Sequence, residues 1–461
     1  MRKAGAVGTG TGEERVVKDY VETADAVAAD IAAGRLRPGD RLPPQRDFAR
    51  QHGIAASTAA RVYQELARRG HTVGEVGRGT FVRATAHPAA PALSEPADGR
   101  IDLELNYPVV PEQAGLLGAG LSQLAAPDVL ETVLRPVGAI GTPATRELSA
   151  DLLARGGWRP DPAQVLFAGN GRQAISAAVS ALVPPGARLG IEELTYPGLK
   201  VIAARLGITL VPLAMDEDGL VPEAVRAAHR SAPLHAVYVQ PTLHNPLSLT
   251  MSERRRGELA GVLRELDLHA IEDTIWAFLY DDRPPLAALA PEHTVVIDSL
   301  SKRLSPGLTL GFAVAPPAVA PGLTSALRSG GWTPMRFALE AAARWQADGA
   351  VRALVAAKKQ EAARRQEVAG RHLGPFPVRS DPRSYYCWWE LPRPWRADMF
   401  VAAAARHGIA VTPAAAFTVG EYRAPNAIRL GLASPRIEVL SQALAVLADL
   451  ARSAPDELVS D

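Results

Sequence analysis

Residues 84–100, ATAHPAAPALSEPADGR, interleave proline and alanine with no apolar period. Proline locks φ and removes a backbone donor, so such a stretch continues neither a helix nor a sheet and reads as a semi-rigid tether. It divides the chain into a small unit over residues 14–83 and a body over residues 101–455. The 461 residues are 47% hydrophobic and 21% charged. That balance suits globular units with a sizeable core and excludes disorder as the main theme. The net charge of +1 hides a split. Residues 1–83 carry 14 Lys and Arg against 10 Asp and Glu, or +4, and the rest carries 36 against 39, or −3. The whole chain is therefore no polybasic nucleic-acid binder, and any such contact belongs to the first unit.

Cys387 is the only cysteine, so no intramolecular disulfide and no cysteine-based metal site can form. The ten histidines show no metal-ligand spacing, and no Ser/His/Asp nucleophile motif stands out. No apolar run approaches the roughly 20 residues of a membrane span. The start, MRKAGAVGTGTGEERVV, has no apolar core of a signal peptide. Residues 1–13 read as a flexible tail and SAPDELVSD as a frayed end, and the expected setting is cytoplasmic, without a membrane.

The first unit shows a pattern of helices followed by a hairpin. Val21, Ala24, Val27, Ala28 and Ile31 fall at helical spacing, with Gly34 as a stop. Leu42-Pro43-Pro44 opens a second helix, 45–51, with proline in the first turn. Gly53 turns the chain into a third helix, which Ser57 caps and which runs to Arg69. Two short strands, 71–75 and 80–83, flank Val76-Gly77-Arg78-Gly79. Helix, helix-turn-helix and hairpin are the order of a winged helix.

The stretch GRLRPGDRLPPQRDFARQHGIAASTAARVYQELARRGHTVGEVGRGTFV closely resembles the DNA-binding domain of the GntR family of bacterial regulators. The resemblance implies a helix 57–69 in the major groove and a Gly77-Arg78-Gly79 wing at the minor groove of double-stranded DNA. By position, Arg46, Ser57, Thr58 and Arg61 meet the DNA. Hydroxyls and free N–H groups at a helix start suit phosphate, and arginine binds phosphate or reads guanine. Some family members have a basic residue where this chain has Ala56, so base reading there is weaker or differs in kind.

In the body, helical stretches alternate with short β-branched runs, the pattern of an α/β domain. Four signals sit at strand ends. Asp298-Ser299-Leu300-Ser301-Lys302, followed by Ser305-Pro306-Gly307, comes after the strand 294–297. A lysine there is desolvated, and a neutral amine condenses with an aldehyde. Asp273 ends Ala270-Ile271-Glu272-Asp273; His244-Asn245-Pro246 follows the strand 236–240; and Gly169-Asn170-Gly171-Arg172-Gln173 lies between a strand 165–167 and a helix 174–182. Backbone N–H groups at such a start cradle phosphate. Taken singly these are a turn, a turn initiator and a helix cap. Trp388-Trp389 beside Tyr385-Tyr386 read as strand aromatics packing a smaller C-terminal lobe.

In order, the cradle, Tyr196, Asn245, Asp273 and Lys302 resemble the fold-type I aminotransferases, which bind pyridoxal 5'-phosphate. The resemblance implies an α/β fold with a mainly parallel central sheet, helices on both faces and a smaller C-terminal lobe. It also implies the roles. Lys302 holds the aldehyde as a Schiff base, and Asp273 keeps the ring nitrogen protonated. Asn245 bonds the ring 3'-oxygen, and Tyr196 stacks on the ring. Gly171, Arg172 and Ser299 bind the phosphate, and Arg429 takes a substrate or effector carboxylate. Two positions depart from the pattern. Thr309 stands where an arginine usually clamps the phosphate, and Ile275 where many members have a tyrosine near the 3'-oxygen. Arg172, where relatives often have Gln, is expected to restore the phosphate charge.

Both units together resemble the MocR subfamily of transcription regulators. The resemblance implies a homodimer in which the aminotransferase-like body senses an amino compound, or pyridoxal phosphate itself, and alters DNA binding. Two rivals remain: a working aminotransferase with an accessory DNA-binding domain, and a cofactor-free scaffold beneath a winged helix that works alone. Thr309 and Ile275 argue against fast turnover, and the joint presence of Lys302 and Asp273 argues against the scaffold.

Overall fold

The structure, a computed structural model of the chain, describes residues 12–32, 35–36, 39–68, 71–75, 79–82, 100–420 and 424–453. It divides into two compact units, residues 1–91 with 398–403 and residues 92–397 with 404–461. No helix of the described residues is long and apolar enough to cross a membrane.

In the first unit three helices, Gly12–Ala32, Gln45–His52 and Ala56–Arg68, precede an antiparallel hairpin of Thr72–Glu75 and Gly79–Val82. Their apolar faces close one core. Ala24, Val27 and Ile31 meet Phe48, Ala49, Ala59, Val62, Tyr63, Leu66 and Val82. Gly53 ends the second helix at φ 64, with its N–H bonded to the carbonyls of Ala49 and Arg50. That left-handed position favours glycine.

Several expected boundaries move. The first helix begins at Gly12, inside the supposed tail. Pro44 precedes its helix at ψ 142 rather than sitting in the first turn, the extended geometry of an N-cap. The third helix begins at Ala56, so Ser57 lies inside the first turn and is not the cap. Gly34, Arg69, Gly77, Arg78 and nearly all of 84–100 lie outside the described residues, as do 1–11 and 454–461.

The second unit is built on a seven-stranded sheet. In spatial order its strands are Val165–Ala168, Gly311–Val314, Thr294–Ser299, His269–Asp273, Ala236–Val239, Arg188–Glu192 and Thr209–Leu213. Gly311–Val314 runs antiparallel to both neighbours, and the other pairings are parallel. Most of these strands are buried along their whole length, as sheets covered on both faces require. Side chains alternate between the faces with period two. Leu166, Ala168, Val295, Ile297 and Ala313 join one core with the helix Gly171–Leu182, whereas Val165, Phe167, Val296, Phe312 and Val314 join another with Leu339, Trp345 and Leu354. Each large side chain so buried contributes about 1.5–3 kcal/mol.

A smaller antiparallel sheet of Val378–Ser380, Tyr386–Glu390, Ala427–Gly431 and Thr412–Pro413 lies in the C-terminal part of the unit. Its aromatics pack as expected: Trp389 against Phe376 at 5.0 Å and Trp388 against Phe417 at 6.3 Å between ring centroids. Long helices Ala350–Leu373 and Ile437–Arg452 accompany it.

Candidate functional site

The carboxyl ends of the parallel strands share one edge of the large sheet, the usual place for a ligand in an open α/β fold. Gly169–Arg172, Tyr196, Asn245, Asp273 and Ser299 all lie at those ends or in the segments that follow them. Lys302 does not end its strand. The strand runs to Ser299, and a four-residue helix, Leu300–Arg303, carries the lysine past it. Ser299 caps that helix, its Oγ accepting the Ser301 N–H at 3.1 Å.

Lys302 Nζ donates to the Asn106 carbonyl at 2.6 Å and lies 4.7 Å from the Tyr107 ring centre and 5.3 Å from that of Trp276. Burial first, then the charges of Arg429, Lys358 and Arg172, lower its pKa to about 7. A large share of the amine is therefore unprotonated near neutral pH, as attack on an aldehyde requires. Asp273, 5% exposed, accepts the Tyr238 hydroxyl at 2.5 Å and the Ile275 N–H at 3.0 Å. Burial nevertheless pushes its carboxyl up to about 6, since a desolvated anion lacks a full counter-charge.

The cradle helix begins at Gly171, three residues earlier than expected, with the Asn170 side chain accepting the Gln173 N–H at 3.0 Å. A Cβ on Gly171 would come within 3.0 Å of Ser299 Cβ and 3.9 Å of Ile275 Cδ1, so the glycine keeps the floor of the cradle open. Arg172 is exposed on the first turn. The Ser299 hydroxyl is already engaged, lying 3.0 Å from Thr309 Oγ1 and 3.1 Å from Ser301 Oγ. Tyr196 precedes the helix Pro197–Leu206, and its ring lies where a Cβ on Gly198 would stand.

Arg429 is 8% exposed, in the middle of the strand Ala427–Gly431. It donates to Asn245 Oδ1 at 3.3 Å, to Thr412 Oγ1 at 3.3 Å and to the Glu104 carbonyl. Asn245 is thus joined to the arginine directly. Among the described residues, the buried donors Asn106 Nδ2 and Arg429 Nε in this cluster have no partner. An unmade buried hydrogen bond costs about 1–3 kcal/mol, a cost that an acidic ligand would remove. The donor set fits pyridoxal phosphate: a neutral amine for the aldehyde, a buried carboxylate for the ring nitrogen, and an open helix start with an arginine for the phosphate.

Sequence reasoning missed Asn106, Tyr107, Trp276 and Tyr238. Tyr107 and Asn106 lie almost two hundred residues before Lys302, where no local pattern could connect them. Tyr238 sits inside a wholly apolar strand and reads there as core.

In the first unit Arg46, Ser57 and Arg61 are exposed. Thr58 is only 7% exposed, because the third helix turns it toward the core, so its side chain is withdrawn from solvent. Gly79 opens the second strand at φ +121, and a Cβ there would lie 2.7 Å from Arg41 Nε. Gly77 and Arg78 fall outside the described residues.

Residues 131–447 match the family described as aminotransferase class I and II, and residues 19–82 match the bacterial regulatory proteins of the gntR family. An HTH-type transcriptional regulator of Bacillus subtilis, YdeF, itself uncharacterized, is 29% identical over 93% of this chain and 93% of its own. The HTH-type pyridoxine biosynthesis transcriptional regulator PdxR of Corynebacterium glutamicum is 26% identical over 91% of this chain and 93% of its own. Among solved structures, an archaeal alanine:glyoxylate aminotransferase superposes with a TM-score of 0.70 at 22% identity, covering 77% of this chain and 91% of that one. That last likeness concerns the fold alone.

Proposed function

The chain belongs to the aminotransferase class I and II family and carries a gntR-family regulatory domain ahead of that body, and on that premise we propose that it is a pyridoxal phosphate-binding transcriptional regulator of the MocR type. Residues 14–83 form the DNA-binding head, 84–100 the tether and 101–455 the sensing and pairing body of a cytoplasmic homodimer. The observation that carries the reading is Lys302: a desolvated amine with a pKa near 7, in one chain with a winged helix. The name of the pyridoxine biosynthesis regulator among the relatives supports pyridoxal phosphate itself, alongside amino compounds, as the ligand sensed.

When bound, the cofactor supplies an aldehyde and an electron-withdrawing ring. Lys302 provides the amine that captures it, and Asp273 holds a proton at the ring nitrogen. Asn245 orients the ring oxygen, Tyr196 covers the ring face, and Gly171, Arg172 and Ser299 bind the phosphate. Arg429 receives the effector's carboxylate. At the DNA, Arg46, Ser57, Arg61 and the wing Gly77-Arg78-Gly79 make contact, and Thr58 contributes through its backbone N–H. The effector acts by preferring one of two arrangements of the heads, since only differential affinity shifts such an equilibrium.

The test is DNA binding by the purified protein with and without pyridoxal phosphate, followed by a panel of amino acids. A change in affinity or footprint supports the sensor, and no change with any addition overturns it. Rapid release of a keto acid from an amino donor would instead favour the working aminotransferase.

A further inference from the structure

Lys358 lies in the first half of the helix Ala350–Leu373 and is 0% exposed. Lysine is almost never so deeply buried without a partner. Its Nζ donates to the Lys302 carbonyl at 3.0 Å and to the Leu304 carbonyl. Gln113 Nε2 reaches the same Leu304 oxygen at 3.2 Å. These are the carbonyls that need outside donors. The helix Leu300–Arg303 is one turn long, so its last carbonyls have no partner within it. At Leu304 the chain leaves at φ −110, ψ −91, outside the regular helical and extended regions. An aliphatic side chain at 358 would leave this end short of donors, whereas an amine supplies several from one atom.

We propose that Lys358 is a positioning residue for Lys302: it fastens the carbonyls at the end of the turn that carries the cofactor lysine and sets a second amine behind the first. The inference rests on the reading of Lys302 as the cofactor lysine. Arg429, Lys358 and Arg172 disfavour a proton on Lys302, and Lys358 does so whenever it is itself protonated, since burial lowers its own pKa to about 7. Lys358 is the one among them that is also bonded to the lysine's own backbone. It therefore links the geometry of the turn to the charge state of the nitrogen that meets the aldehyde.

The experiment compares wild type, K358M and K358Q, each loaded with pyridoxal phosphate. The visible band is titrated between pH 5.5 and 9, and each protein is then reduced with borohydride and peptide-mapped. Lys358, itself titrating at about 7, competes with Lys302 for a proton, so removing it favours protonation at Lys302 and the spectral midpoint should rise by about half a pH unit or more in both variants. Wild type should carry the pyridoxyl group on Lys302. K358Q keeps an amide donor for the turn and serves if K358M does not fold. A wild-type midpoint in a variant that still carries the adduct on Lys302 overturns the inference, as does an adduct on Lys358 itself in wild type. Failure of wild type to carry any adduct overturns the cofactor reading instead, so the two failures are distinguishable.

Discussion

Thr309 stands seven residues after Lys302, and its hydroxyl lies 3.0 Å from Ser299 Oγ. In the proposed site it would put a neutral group where the family pattern has a guanidinium, leaving the cradle short of positive charge. Arg172, exposed on the first turn of the cradle helix, is the cation available to replace it. A charged donor on a phosphate is worth more than a neutral one. Arg172→Ala should therefore weaken pyridoxal phosphate binding by well over tenfold, about 1.4 kcal/mol or more, in a fluorescence titration. An unchanged Kd would refute the compensation. Ile275, in the other departed position, spends its N–H on Asp273 at 3.0 Å and puts a methyl group toward the cradle. In the proposed site it would offer no hydroxyl beside the cofactor, which argues against rapid proton transfer.

Among elements, the third helix separates two residues that adjoin in sequence. Ser57 and Arg61 are exposed, whereas Thr58 is turned inward with Ala59 and Val62. Arg61→Ala should weaken operator binding by about 1–3 kcal/mol if it reads a base, or lower the salt dependence by about one ion if it binds phosphate. Affinity measured over a salt series separates the two. Thr58→Ala should lower Tm and leave the salt slope in place. In the hairpin, Gly79→Ala combines a left-handed φ with a collision at Arg41. A loss of about 1–3 kcal/mol in a denaturant melt is the expected size of such strain.

For the whole molecule, buried amines make stability a function of pH. Lys302 and Lys358 titrate near 7 in the folded protein against 10.5 ordinarily. Between those values the unfolded chain binds more protons, so folding strengthens as pH rises and this contribution is lost as pH falls toward 7. The cofactor-free protein should thus melt higher at pH 8.5 than at pH 7. Loading pyridoxal phosphate should narrow the difference by removing the share of Lys302, and K358M should narrow it further. A Tm independent of pH over that range in the cofactor-free protein would contradict two buried, neutral-leaning amines. Asp273 acts with the opposite sign at lower pH. Its carboxyl titrates at about 6 against 3.8, so stability falls as pH rises through that window.

Much of this was legible in the sequence because it is local. Apolar period, glycine stops and strand-end motifs act within a few residues, so the helices and hairpin of the first unit, the α/β pattern of the body and the strand ends that carry Asp273 and Asn245 could be placed by reading along the chain. The roles expected of Lys302, Asp273 and Asn245 came only from the resemblance to a family. Boundaries moved by one to three residues in the strands and short helices, because caps depend on hydrogen bonds that spacing does not specify. What tertiary structure alone decided was partnership over long separations: Asn106 and Tyr107 at Lys302, Tyr238 at Asp273, Lys358 behind the turn, and the antiparallel strand Gly311–Val314 in a parallel sheet. Burial by distant segments sets these contacts and shifts the pKa of each amine and carboxyl, and burial is a property of the packed chain, not of any stretch of it.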